Sequence, residues 1–182
     1  MSDLAAPWVV PGRPDVALVV VPPDVLGALA DGRLDDARAL LPDLHLAGGL
    51  TDPLMRHVWG VRARQVADRP GDAPWVTRLV VDRSLGAVVG RAGYHGPPDE
   101  AGMVEVGYET LPEHRRAGYA RGAFTALLDV ARRHPQVRML RATIAPGNEP
   151  SRALVAQYGL VEVGEQWDDE DGLETIFELP VA

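Results

Sequence analysis

Between a strand-like run, MVEVGYETL, and a helix-like run, AFTALLDVARRH, lies EHRRAGYARG, residues 113–122. It gathers Arg115, Arg116 and Arg121 around Gly118 and the small Ala120. A helix that begins after a glycine turn presents unpaired backbone N–H groups and the positive end of its dipole, a natural seat for phosphate. Gly118 lets the main chain approach a diphosphate, Ala120 leaves the next amide unshielded, and the arginines add charge from the rim. The plain alternative is a turn with solvated arginines. A nucleotide-hydrolase phosphate loop is excluded, because its Gly-Lys-Ser/Thr is absent, and a dinucleotide fingerprint fails for want of two of its glycines.

Two further residues invite chemistry. Glu105 lies between Val104 and Val106 in a strand expected to be central, where a carboxylate is costly unless it is paired or working. It is either a working group or a structural acceptor of hydrogen bonds from the 111–117 loop. His95, in GYHGPP at the end of the preceding strand, is a candidate for substrate binding or proton transfer. The other histidines show no metal-ligand spacing, and no metal is expected. The acidic run Asp168–Asp171 reads as a solvated hairpin tip, or as a lure for a cationic amine if it overhangs the acceptor.

These residues need elements to hold them. Residues 1–15, with three prolines, read as an irregular lead-in, and VALVVV as a short buried strand. Through residue 74 the spacing predicts two short helices and a longer one, DPLMRHVWGVRARQVAD, with Leu54, Val58, Val61 and Gln65 on one face. Residues 75–180 then read as three consecutive strands, the anion loop with a helix to about His134, a strand, a helix ending at Gly159, and a hairpin. Ala120, Phe124, Leu127, Leu128 and Ala131 share the inner face of the first of these helices. The order predicts an α/β domain, a mixed sheet flanked by helices with one parallel crossover. One domain spanning 1–182 suffices.

Composition narrows the field. The chain has 182 residues, 46% hydrophobic and 24% charged, as in ordinary globular proteins. It has no cysteine, so disulfides and thiol nucleophiles are out. Its net charge of −8 disfavours nucleic-acid binding and makes the arginines at 115–121 stand out. No run is long enough to span a bilayer and none reads as a signal peptide, so a cytoplasmic protein without a membrane partner is expected.

VEVGYETLPEHRRAGYA resembles the cofactor-binding motif of the GNAT superfamily of N-acetyltransferases, whose loop is Arg/Gln-x-x-Gly-x-Gly/Ala, met here by Arg115, Gly118 and Ala120. NEPSRALVAQYG resembles the family's second motif at Asn148, Ser151 and Gly159, with Leu160 in place of the usual Phe. The stretch from Val89 to Ala120 looks most like the branch with the ribosomal-protein N-terminal acetyltransferases. The resemblance is good from about Trp75 to Leu179 and weak before it.

The resemblance implies a GNAT fold and acetyl-coenzyme A as donor. The backbone of the strand around Val106, Gly107 and Tyr108 would pair with the pantetheine arm. Amides of Arg116, Ala117, Gly118, Tyr119 and Ala120 would hold the pyrophosphate, with Arg115 and Arg121 beside them. Asn148 and Ser151 match pantetheine-contacting positions, although Asn148 also suits a helix N-cap. Ser151 is a candidate donor to the leaving thiolate and Glu105 a base acting through water. Gly107 fits a bulge or the close approach of a ligand. Many relatives carry a tyrosine acid where this chain has Val155; Tyr158 is offset from that position and reads as packing. The activity implied is direct transfer of acetyl to a primary amine, on a protein N-terminus or a small molecule, by a monomer or homodimer. The alternatives are another acyl donor and a non-catalytic acyl-coenzyme A-binding module.

Overall fold

Strand β3 (Arg78–Asp82) is buried along its whole length because helices cover this part of the sheet on both faces. Side chains of a strand alternate, so Val80 enters one core while Leu79 and Val81 enter the other. The computed structural model describes residues 4–168 and 172–181. Eight strands form one mixed sheet in the order β1-β2-β3-β4-β5-β6-β8-β7. They are β1 (Trp8–Val10), β2 (Arg13–Val19), β3, β4 (Ala87–Tyr94), β5 (Met103–Thr110), β6 (Met139–Ile144), β7 (Val161–Asp168) and β8 (Gly172–Pro180). The helices are α1 (Pro23–Ala30), α2 (Leu34–Leu40), α3 (Pro53–Asp68), α4 (Tyr119–Arg133) and α5 (Glu149–Ala156).

The sheet is antiparallel except between β5 and β6, whose parallel pairing needs the crossover supplied by α4. Helix α4 lies on one face, with Phe124, Leu127 and Ala131 fully buried against Val104, Val106 and Leu140. Burying a phenylalanine or leucine this way is worth roughly 1.5–3 kcal/mol each. On the opposite face α1 and α3 pack Leu29, Met55 and Trp59 over Leu79, Val81 and Val88. That layer takes no side chain from β5 to β8, so the face carrying Glu105, Gly107 and Glu109 lies outside it.

One expectation needs correction. The lead-in is not irregular. Trp8–Val10 is a strand that forms a hairpin with β2, turning at Gly12 with φ +75°. Pro11 and Pro14 flank that turn and mask a strand too short for alternation to show. Arg78, fully buried, ties the segment down: its guanidinium donates to the carbonyls of Leu4, Ala6 and Leu18 and lies 3.4 Å above the Trp8 ring. Burial lowers the Arg78 pKa to about 9, so the group remains charged at neutral pH.

In α3, Met55, Trp59 and Val66 face the core and Leu54 is 53% exposed. The helix carries two apolar stripes at helical spacing, and periodicity cannot say which packs inward. The shared face read from the spacing, with Leu54, Val58 and Val61, lines a cleft. No helix among the described residues is long and apolar enough to cross a membrane.

Candidate functional site

The β5–β6 ladder runs only from Met103↔Met139 to Glu105↔Arg141. Beyond it β5 continues, paired with β4 alone, so its other edge from Val106 onward has no β6 partner. A strand edge without a neighbour presents main-chain donors and acceptors to whatever fills the gap. The gap opens into a cleft of about 1530 Å³, lined by Val106, Gly107, Tyr108, the start of α4 and the start of α5.

At the α4 end a glycine turn precedes the helix. Gly118 is the N-cap at φ +80°, and Arg116 also has positive φ, at 63°. No side chain caps the helix, so the amides of its first turn are left for a ligand. Arg115, Arg116, Gly118, Tyr119, Ala120 and Arg121 line the cleft; Ala117 does not. Two of the arginines are partly engaged: Arg121 donates to Gln157 at 2.8 Å and Arg115 to the Thr110 carbonyl at 3.1 Å.

Beneath the cradle lies a clamp formed by residues from distant parts of the chain. Asp82, 3% exposed, accepts from the Tyr119 hydroxyl at 2.8 Å and from Ser84, with Arg13 at 3.6 Å. Arg13 also donates to the Ala117 carbonyl at 3.1 Å and stacks over the Tyr119 ring at 4.4 Å. Burial alone would raise the Asp82 pKa. The hydrogen bonds from Ser84, Tyr119 and the Leu85 and Ser84 amides outweigh it and hold the carboxyl below its usual range. Tyr119 therefore contributes main chain to the cleft while its side chain anchors the loop. Arg13 and Asp82 gave no sequence signal, since nothing local links them to the loop.

At the α5 end Asn148 is the N-cap, its side chain accepting from the Ser151 amide at 3.2 Å, and both residues line the cleft. Near Ser151 is Tyr108, whose hydroxyl is buried without a hydrogen-bond partner among the described residues. Burial raises the Tyr108 pKa and the nearby Ser151 hydroxyl opposes that, without reaching hydrogen-bond geometry. An orphaned buried hydroxyl costs about 1–3 kcal/mol and marks a place where a ligand atom would be welcome. Val155 is fully buried. The Tyr158 hydroxyl lies 2.6 Å from Thr125 Oγ1, and its ring packs on Phe124 at 4.8 Å, as expected of a packing residue.

The far end of the cleft is assembled from four elements. Helix α3 supplies Leu54, His57, Val58, Val61 and Arg62, β4 supplies Arg91, and His95 follows directly after it. Glu174 of β8 and Asp168 of β7 also line this cleft. Of the acidic turn only Asp168 is among the described residues; 169–171 lie outside them. Arg91 pairs with Glu109 at 3.1 Å across the strands. Burial, and then the neighbouring Arg91, lowers the Arg62 pKa to about 10.

Glu105 is engaged on this face, its Oε1 accepting from Thr143 Oγ1 at 2.6 Å with His95 Nδ1 at 3.5 Å. His95 and Thr143 line the cleft; Glu105 does not. Gly107 pairs in regular register with Gly93, so it forms no bulge. Its lack of a side chain serves another purpose: a Cβ there would stand 2.9 Å from His95 Nε2. Among the described residues no group of three His, Asp or Glu is placed to hold a metal ion.

An acetyltransferase (GNAT) domain model matches residues 49–161, well over half of the chain. The chain belongs to the GNAT acetyltransferase family. A curated relative, the uncharacterized N-acetyltransferase YjdG of Bacillus subtilis, is 31% identical over 83 residues. That match spans 46% of this GNAT chain and 49% of the relative, about half the length of each. Among solved structures, the ribosomal-protein-S5-alanine acetyltransferase of Vibrio fischeri superposes with a TM-score of 0.64 at 17% identity, over 92% of this chain and 93% of its own. RimJ of Mycobacterium smegmatis, solved with CoA-disulfide, gives 0.62 at 21% identity, over 91% and 81%. The described architecture is a single-domain α/β GNAT fold.

Proposed function

We propose that this acyltransferase moves an acetyl group from acetyl-coenzyme A to a primary amine by direct attack within a ternary complex. The observation that carries the reading is the unpaired β5 edge leading, within one cleft, to the uncapped start of α4. The edge suits the amide-bearing pantetheine arm, and the amides after Gly118 suit a diphosphate. The Tyr108 hydroxyl and Ser151 sit beside that path, and Ser151 is the candidate donor to the leaving sulfur. RimJ, the relative of known structure that carries CoA-disulfide, supports the choice of donor.

Acetyl-coenzyme A supplies an activated carbonyl. The chain's own residues bind, orient and manage protons. The acceptor enters from the α3 side, where the apolar stripe faces inward and Asp168 and Glu174 favour a cationic amine. A non-catalytic acyl-coenzyme A-binding module is the second reading, favoured by Val155 in the family's tyrosine position. Thiol release from acetyl-coenzyme A across N-terminal peptides and small amines separates the two. Turnover with any amine establishes transfer; tight binding with no release anywhere in the panel supports the binding module.

A further inference from the structure

We infer that His95 takes the proton from the acceptor amine and that Glu105, held by Thr143, is its positioning partner. The inference rests on the acetyl-transfer reading and assigns its base. Glu105 attracts attention in the sequence, yet its side chain is only 19% exposed, absent from the cleft wall, and has one oxygen engaged by Thr143. The His95 side chain is 45% exposed, and it is part of the wall. Its ring is oriented at both ends. Nδ1 points at Glu105 Oε1, and Nε2 lies over Gly107, in a space that any Cβ at that position would take.

The backbone fixes this placement. The His95 amide donates to the Glu105 carbonyl at 2.8 Å, and its own carbonyl accepts from Arg62 and Gln65 of α3, each at 3.0 Å. The Nδ1–Oε1 distance of 3.5 Å is longer than a formed hydrogen bond; such contacts tighten once substrate binds. A proton on Nδ1 directed at the carboxylate makes Nε2, which lies over Gly107, the acceptor nitrogen of the ring. The carboxylate then stabilises the imidazolium that forms, without taking the proton itself. Among the described residues, the other charged groups that line the cleft from α3 and the sheet are Arg62 and His57 of α3, Arg91 of β4, Glu109 of β5, Asp168 of β7 and Glu174 of β8.

The balance is simple. An acceptor ammonium gives one proton to Nε2, the neutral amine forms its N–C bond to the thioester carbonyl, and the C–S bond breaks. A second nitrogen proton goes to the sulfur. The products are an amide, a thiol and one proton on His95, which returns to solvent.

The test is kcat/KM against pH for His95→Gln, Glu105→Gln and the double variant, at saturating acetyl-coenzyme A. His95→Gln should lose roughly 10²-fold near pH 7 and recover as the pH approaches the amine's own pKa. Its affinity for acetyl-coenzyme A should stay within about twofold of wild type, a change under about 0.5 kcal/mol. Glu105→Gln should lose less, about tenfold. It should also move the acidic limb to lower pH, because an imidazolium deprived of its carboxylate has a lower pKa. The double variant should match His95→Gln. Wild-type rates in His95→Gln at pH 7, or a deeper and additive loss in Glu105→Gln, would overturn the assignment and leave Glu105 acting alone through water. If the His95 variant does not fold, NMR titration of the His95 ring in wild type and Glu105→Gln decides: equal pKa values reject the pair. A wild-type enzyme that releases no thiol with any amine fails the acetyl-transfer reading instead, a different outcome from any of these.

Discussion

At the α4 end of the cleft the groups on offer are main-chain amides following Gly118, with arginines around them. At the α3 end they are side chains: Leu54, Val58 and Val61 from one helix, His95 beyond β4, Thr143 from β6 and Glu174 from β8. The first end is set by backbone conformation and changes little with side-chain identity. The second is set by which side chains face inward, so a few substitutions rewrite it. An enzyme family can in this way keep one donor while exchanging acceptors.

The largest effect expected at the backbone end comes from below it. Asp82→Ala removes the carboxylate that Tyr119 and Arg13 share, leaving the buried Tyr119 hydroxyl unpaired. Such a loss costs about 1–3 kcal/mol, read by denaturant unfolding. Coenzyme A affinity should fall with it, because Arg13 also holds the Ala117 carbonyl of the loop. The pH dependence has a definite sign. The folded Asp82 carboxyl is held below its ordinary value of 3.8, so its contribution is fully present above that value. It is lost as the pH falls through the lower folded pKa. Asp82→Asn should flatten this part of the acid-unfolding profile. An unchanged profile would show that the clamp carries no charge-dependent stability.

Gly118→Val tests the cradle itself. A branched residue at φ +80° is strained, and its side chain would crowd the approach to the first amides of α4. Coenzyme A affinity should fall tenfold or more, about 1.4 kcal/mol, with the fold intact. Calorimetry on the folded variant checks this, and unchanged affinity would remove the diphosphate from this end of the cleft.

The two ends differ in the same way in how far the sequence reveals them. The cradle is local: strand, glycine turn and helix follow one another, so Arg115, Gly118 and Ala120 can be read from one stretch, and Asn148 with Ser151 from another. The far end is assembled by topology. Thr143 reaches Glu105 only because β6 pairs in parallel with β5, and Arg13 reaches Ala117 only because β1 and β2 fold back beneath α4. Glu105 was visible as a carboxylate in a strand, but not that His95 stands between it and the cleft. Periodicity found α3 and grouped Leu54, Val58 and Val61 on one face, but not which face packs inward, because two stripes satisfy the same spacing.

A smaller effect should mark the side-chain end alone. Leu54 is 53% exposed on the stripe that faces the cleft, so Leu54→Ala deletes apolar surface an acceptor would cover and little that supports the fold. The acceptor KM should rise a few fold, on the order of 1 kcal/mol, while coenzyme A affinity holds. A variant that weakens coenzyme A equally would show that the two ends do not act independently.

Tyr158→Phe should change least, and for a reason that the cleft supplies. The phenol sits 2.6 Å from Thr125 Oγ1 and also donates to the Arg121 carbonyl at 3.3 Å, both on α4, and its ring leans on Phe124. Tyr158 is absent from the cleft wall, whereas Ser151 of α5 is part of it. Phenylalanine keeps the ring contact and gives up the two hydrogen-bond contacts of a part-buried hydroxyl, about 0.5–1.5 kcal/mol of stability each. The pH–rate profile should be unchanged, since no titrating group of the reaction has been touched. A fall in kcat of two orders of magnitude or more, in a variant whose unfolding curve moves by no more than that stability loss, would put the thiolate's proton on Tyr158 and take it from Ser151.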